Sequence, residues 1–310
     1  MPSSKKKSRA RAPLTFLGAA HAKSPKGFDA AIFGVPHGTP YKGIDNRMHE
    51  GAPQAFRKAM AEDGRWNHHH DFDHGGPLLA EGFAVADLGN LPTRSRDGAR
   101  NRRLIGEQTR AILAAGAIPI MFGGDDSVPI PFIAAFAGSP PVTILQIDAH
   151  IDWREERRGE PLGYSSTMRR ASEEKHVSRI VQAGIRGVGS ARPAEVADAL
   201  KWGASLNTSR DIHHRGVGFV VEQIPEGCDC LITLDCDSID VAQMPAVPHP
   251  SPGGLTYTQV VDLIDGVAAR ARIVGFCMVE FMPKRDRYGA AAYTAGRIAA
   301  NVIARLKMRA

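Results

Sequence analysis

Short apolar runs rich in β-branched residues alternate along this chain with longer stretches of helical spacing, and few folds accommodate that rhythm. A strand that is apolar on both faces belongs in a parallel sheet covered on both sides, and the crossover between parallel strands is usually a helix. The pattern predicts an α/β fold with strands near 30–35, 83–88, 118–122, 142–147, 180–185, 230–234 and 273–279. Residues 99–115 carry Leu104, Ile105, Ile112 and Leu113 at helical spacing and run into Gly116, a residue type favoured just past a helix end. Thr256 is placed to cap a helix bearing Val260, Val261, Leu263, Ile264 and Val267, and Ile298, Val302, Ile303 and Leu306 mark a final helix. No repeat or linker interrupts residues 29–310, which read as one domain. With 43% hydrophobic residues the chain has enough apolar surface for a large core.

The formal charge of +6 invites a polyanion partner, but Lys5, Lys6, Lys7, Arg9 and Arg11 supply five of those charges and the remainder carries +1. Residues 1–28 read as a basic, disordered tail. No aromatic residue interleaves the charges of residues 1–12, so solvation is expected rather than nucleic-acid binding. No apolar stretch is long enough to span a bilayer and no secretion signal is visible, so a cytoplasmic location is expected. Cys228, Cys230, Cys236 and Cys277 lack the spacing of a zinc site and suit reduced thiols, mostly in buried strands. The stretch GRWNHHHDFDHGGP at 64–77 holds four histidines, but His68, His69 and His70 are consecutive and cannot all point to one centre. It reads as a surface loop.

Three strand ends finish in acids. IPIMFGG runs into Asp125-Asp126-Ser127, VTILQI into Asp148-Ala149-His150-Ile151-Asp152, and CLITL into Asp235-Cys236-Asp237. Ligand sites in parallel α/β sheets lie beyond the carboxyl ends of the strands. An extended backbone would turn Asp148, His150 and Asp152 to one side, and Asp235 and Asp237 likewise. A single Asp after a strand is often only a turn former or cap. Three together concentrate negative charge that resists burial unless cations compensate it. A dinuclear metal centre resolves the conflict. Hard oxygen donors with one imidazole favour Mn²⁺ or a similar ion, and two such ions sharing a water would generate hydroxide for hydrolysis.

These segments resemble the arginase/agmatinase (ureohydrolase) family, whose signatures are a GGDHS-like strand end, a DAHxD segment and an S-x-D-x-D-x-x-D segment. The counterparts here are GGDDS at 123–127, DAHID at 148–152 and TLDCDSID at 233–240, followed by PGGLT at 252–256 and VEFMPKRD at 279–286. With a weaker match around GVPHGTPYKG, the resemblance covers about residues 29–307. It implies a three-layer α/β/α fold around a mostly parallel eight-stranded sheet, two manganese ions, with nickel used by some relatives, and trimers or hexamers. Carried over, Asp126, Asp148, Asp152 and Asp235 would hold one metal, and Asp148, His150, Asp235 and Asp237 the other. Glu280 would grip the guanidinium of a cationic substrate, and the catalytic set would be Asp148, His150 and Glu280.

Two departures stand out. Asp126 replaces the histidine of GGDHS, giving the six ligands five negative charges in place of four, which favours a cationic substrate and raises the pKa of bound water. In GYSSTMRRASE, at 163–173, no histidine stands where agmatinases have one that relays protons, so Tyr164, a serine or water would take its role. His176 and His213 cannot be placed in the site from sequence. Three functions follow: a ureohydrolase acting on agmatine or a similar guanidino compound; a hydrolase of guanidine, alkylguanidines or biguanides; or a weakly active subunit supporting a paralogue in a hetero-oligomer. The charged loop Arg154, Glu155, Glu156, Arg157, Arg158 reads as a solvated face. A metal-dependent deacetylase is disfavoured because its catalytic His pair is missing.

Overall fold

The computed structural model describes residues 13–188 and 191–306; the expected solvated tail of residues 1–12 lies outside them. Eleven strands are present among the described residues: β1 Ala20–His21, β2 Ala30–Gly34, β3 His70–Asp71, β4 Gly76–Pro77, β5 Val85–Asn90, β6 Ile118–Phe122, β7 Val142–Ile147, β8 Val177–Ile185, β9 Ser205–Thr208, β10 Asp229–Asp235 and β11 Arg272–Val279. Nine of them form a sheet in the order β1-β5-β2-β6-β11-β10-β7-β8-β9, with every neighbouring pair parallel. The fold is thus the expected α/β/α layering, with nine strands rather than eight. The two unforeseen strands are edge strands: β1 has only two residues, and SLNT of β9 is polar and half-buried, so neither leaves an apolar run in the sequence.

Side chains of a strand alternate between faces, and the core divides accordingly. Ile32, Ile120, Phe122, Leu145, Ile147, Ile232, Leu234 and Met278 face one layer of helices: α1 Ala52–Ala59, α6 Ser209–Arg215, α7 Gly218–Val221, α8 Tyr257–Arg270 and α9 Ala290–Arg305. Ala31, Phe33, Met121, Ile144, Leu231, Cys277 and Val279 face the other: α2 Gly98–Ala114, α3 Pro129–Ala134, α4 Thr167–Ala171 and α5 Pro193–Trp202. Thr256 caps α8 as its sequence predicts, in a reciprocal box with Gln259. Gly116, just beyond α2, has φ +78°, a conformation that L side chains rarely adopt.

The folded body begins before residue 29. Phe16 and Leu17 are buried, and the Phe16 ring lies 4.8 Å from that of Phe122. The Phe16 N–H donates to Asp87 Oδ2 at 2.9 Å, and Arg57 of α1 grips both oxygens of Asp87 at 2.8 and 2.9 Å. Both partners of this ion pair are buried. Removing one would strand an uncompensated charge. Arg57→Ala is therefore expected to destabilise the protein by about 3–5 kcal/mol and Asp87→Asn by less, which denaturant unfolding of the variants would measure.

Candidate metal centre

The four central strands β6, β11, β10 and β7 are parallel neighbours, so their carboxyl ends share one edge. Asp125 and Asp126 follow β6, Glu280 follows β11, Asp235 ends β10 with Asp237 just beyond, and residues 148–152 follow β7. All the sequence-selected acids converge there. The backbone is not extended as the alternation argument assumed. Asp152 has φ +44° and Glu280 φ +63°, strained values for residues with a Cβ. A short 3-10 turn, Cys236–Ser238, brings Asp237 round so that its N–H donates to Asp235 Oδ1 at 2.7 Å.

Two groups of side chains are close enough to share an ion: Asp126, Asp148 and Asp152; and Asp148, His150 and Asp237. Asp148 belongs to both. Each group lies within one of the two expected sets; Asp235, expected in both, joins neither, although it is buried and the charges of Asp237, Asp148, Glu280 and Asp126 bear on it. His150 Nδ1 stands 3.2 Å from Asp237 Oδ2 and 3.4 Å from Asp148 Oδ1. Gln146 Nε2 donates to Asp148 Oδ2 at 2.8 Å and to Asp152 Oδ2 at 3.0 Å.

Asp125, Asp126, Asp148, Asp152, Asp235, Asp237 and Glu280 are all buried. Burial, reinforced by neighbouring carboxylates, pushes the carboxyls of Asp126, Asp152 and Asp235 well above the usual range, and burial with the Asp125 charge does the same for Glu280. Burial opposes charge on His150, but the hydrogen bonds it donates to Asp148 and Asp237, with their negative charges, overcome it and raise the imidazole to about 12. One imidazolium cannot balance so many carboxylates. Asp126 Oδ2 is buried and has no hydrogen-bond partner among the described residues, and a divalent cation would satisfy it. The donor set, hard oxygens with one imidazole, fits such an ion.

Several contributors escaped sequence reasoning. Gln146 and Gln182 form a chain behind the acids: Gln182 Nε2 donates to Gln146 Oε1 and, at 2.9 Å, to Ile151 O. Their signal was a polar residue in a strand buried on both faces. Thr167 Oγ1 donates to Asp126 O. His49 Nε2 stands 3.4 Å from Glu280 Oε2 while its Nδ1 meets Phe281 O at 3.1 Å, and burial lowers the imidazole to about 4. Arg186 donates to the carbonyls of Gly184, Asp237, Ser238 and Ser251, fastening the turn that carries Asp237.

Other histidines serve elsewhere. His176 and His213 are tied to the carbonyls of Ile133 and Gly254. The hairpin β3–β4 docks on α9 through Arg297, which reaches Asp71 at 2.5 Å and Asp73 at 2.9 Å, and neither metal group includes His68, His69 or His70. All four cysteines are free thiols, three of them buried.

The arginase family profile matches residues 28–305. The mitochondrial guanidino acid hydrolase of Homo sapiens is 30% identical over 89% of this chain and 77% of its own length. The mitochondrial agmatinase of Gallus gallus is 31% identical over 86% and 77%. Among solved structures, proclavaminate amidino hydrolase from Streptomyces clavuligerus superposes with a TM-score of 0.81 at 26% identity, covering 95% of this chain and 97% of that one. The chain belongs to the arginase family. It is a hydrolase of the ureohydrolase type, in the agmatinase-like branch, acting on guanidino groups. No helix among the described residues is long and apolar enough to cross a membrane.

The Arg186 bonds concentrate in one side chain the hold on the turn and on the 251 segment. Arg186→Leu is expected to cost about 2–3 kcal/mol, as loss of charge-assisted hydrogen bonds does, and to speed proteolytic cleavage within residues 237–251. Unchanged cleavage kinetics would show that the turn holds without it.

Proposed function

We propose that this chain hydrolyses the bond between the guanidino carbon and the substituted nitrogen of an agmatine-like guanidino compound, giving urea and an amine, on two divalent ions. One would be held by Asp126, Asp148, Asp152 and Asp235, and the other by Asp148, His150, Asp235 and Asp237. The observation that carries this reading is the convergence of these buried acids on one imidazole, with Asp126 Oδ2 unpartnered. When bound, the metal pair would supply Lewis acidity and make a water acidic enough to attack carbon near neutral pH. Mn²⁺ is the first choice from the donor set and Ni²⁺ the second.

The chain's own residues supply the rest. Glu280 accepts the Asp126 N–H through Oε1 at 2.7 Å, which fixes the carboxylate and leaves lone pairs for the paired N–H donors of a guanidinium. A guanidinium so held has its carbon oriented for attack. Gln146 keeps Asp148 and Asp152 aimed inward. A cytoplasmic homo-trimer or homo-hexamer is the simplest setting. Guanidine, alkylguanidines and biguanides remain alternative substrates, and Asp126 in place of histidine keeps open a weakly active partner subunit in a hetero-oligomer.

Calorimetric titration with Mn²⁺ or Ni²⁺ is expected to give two ions per chain, with thermal stability rising as they bind. Fewer than one ion per chain would overturn the catalytic reading. Urea release should be detected in a screen of agmatine, 4-guanidinobutyrate, arginine, guanidine and dimethylbiguanide. Glu280→Gln should lower kcat/KM for the best of them by about 10²–10³-fold, the scale of truncating a buried charge pair. A loss under threefold would remove Glu280 from that role.

A further inference from the structure

Beside Glu280 lies an imidazole with a lone pair that no described residue uses. His49 ends a short 3-10 turn, Asn46–His49, and its side chain is buried. The turn is held at its start by Asp45, whose Oδ1 accepts the Arg47 N–H at 3.0 Å. Beyond it the chain passes into α1, which the Arg57–Asp87 ion pair anchors. His49 Nδ1 meets Phe281 O at 3.1 Å. A carbonyl oxygen only accepts, so Nδ1 carries the hydrogen of that bond, and in the neutral ring Nε2 is left with a lone pair. Burial lowers this imidazole to about 4 and so keeps the ring neutral. Nε2 stands 3.4 Å from Glu280 Oε2. Two acceptors therefore face each other, and no hydrogen bond from any described residue reaches either atom.

Acceptors paired in this way away from bulk water are unfavourable until a donor comes to both. Neither can turn aside to find one. His49 is tied through Nδ1, and Glu280 is tied through Oε1, which accepts the Asp126 N–H at 2.7 Å, and through its own N–H, which donates to Gly124 O at 2.9 Å. Oε2 is thus the carboxylate oxygen turned toward His49. A separation of 3.4 Å suits parallel N–H bonds on adjacent nitrogens of one planar cation, the edge that a guanidinium presents. A neutral imidazole supplies the second acceptor without a second negative charge, so it does not raise the cost of keeping Glu280 ionised.

We propose that His49 binds substrate directly: its Nε2 accepts one N–H of the guanidinium while Glu280 Oε2 accepts the neighbouring one. This rests on the guanidino-hydrolase reading of the site given above. The two ring nitrogens are tested apart in the manganese-loaded protein. Asparagine presents its amide near the place of Nδ1, keeping the bond to Phe281 O without an acceptor at Nε2. Glutamine reaches the place of Nε2 with an acceptor and gives up the Phe281 bond. With the compound of the screen that releases urea fastest, His49→Asn is expected to lower kcat/KM by about tenfold, mainly through KM, as loss of one hydrogen bond to a charged donor does. His49→Gln should recover most of that loss, to within about threefold of the wild type. The reverse order, with glutamine weak and asparagine strong, makes His49 only an anchor for the Phe281 segment and overturns the proposal. So does an equal loss in both variants, a loss confined to kcat, or a fall under threefold in His49→Asn. A gain in His49→Asn also overturns it, being the mark of an imidazolium that competes with substrate for Glu280. Should the asparagine variant fail to fold, His49→Ala replaces it in the comparison. If no compound releases urea, the hydrolytic reading fails and calorimetric titration with guanidinium chloride decides. Weaker binding in His49→Asn than in His49→Gln supports the proposal; equal binding, or none to the wild type, overturns it.

Discussion

Keeping many carboxylates together out of water is the constraint on which the rest of this structure depends. Each such group raises the cost of ionising the next, so the arrangement persists only where rigid elements fix it and donors or cations compensate it. The parallel sheet supplies the rigidity. Strands β6, β11, β10 and β7 lie side by side in one direction, and helices cover both faces, so the residues just past their carboxyl ends cannot splay apart. The strained backbones of Asp152 and Glu280 are what this convergence costs locally.

Compensation is unevenly distributed. Asp237 is held below the usual carboxylate range because the hydrogen bond and charge of His150 outweigh its burial. Asp148 and Asp152 share the Gln146 amide. Gln146 is itself fixed by Gln182, whose backbone carbonyl accepts from Asn207 at 3.0 Å. A relay of neutral amides thus runs from the β9 edge to the acids and orients them without adding charge. On the opposite side, the neutral His49 and the Asp126 N–H frame Glu280.

Much of this was legible in the sequence because it is periodic. Seven strands, the 98–114 helix and the Thr256 cap follow from alternation, spacing and capping chemistry, and the acids were found because they end apolar runs. What escaped lacks periodicity. β1 and β9 are short edge strands. Phe16 and Leu17 sit beside a basic tail, and nothing local shows that their partners lie near Phe122 and Asp87. Gln146 and Gln182 could have been noticed as polar residues in strands buried on both faces. His49 and Arg186 could not, because each owes its position to contacts with distant segments. The extended geometry assumed for DAHID was wrong in detail, yet the side chains still meet, since the convergence is set by four neighbouring strands and not by one.

Asp126 is where chain-specific chemistry and shared architecture meet. A carboxylate oxygen lies as many bonds from the backbone as an imidazole Nδ1, so aspartate can present a donor where a histidine ligating through Nδ1 would, but not one ligating through Nε2. The backbone there is well anchored: its N–H goes to Glu280 and its carbonyl accepts from Thr167. The side-chain oxygen Oδ2 has no hydrogen-bond partner among the described residues. Asp148 and Asp152 share the Gln146 amide and Asp237 faces His150, whereas at Asp126 burial and the charges of Asp152, Asp148 and Glu280 oppose ionisation and a hydrogen bond with the Thr167 side chain offsets them only in part. The cost of that charge therefore falls on whatever cation enters, and the substitution ties the stability of this edge of the sheet to cation binding more tightly than a neutral imidazole at the same position would.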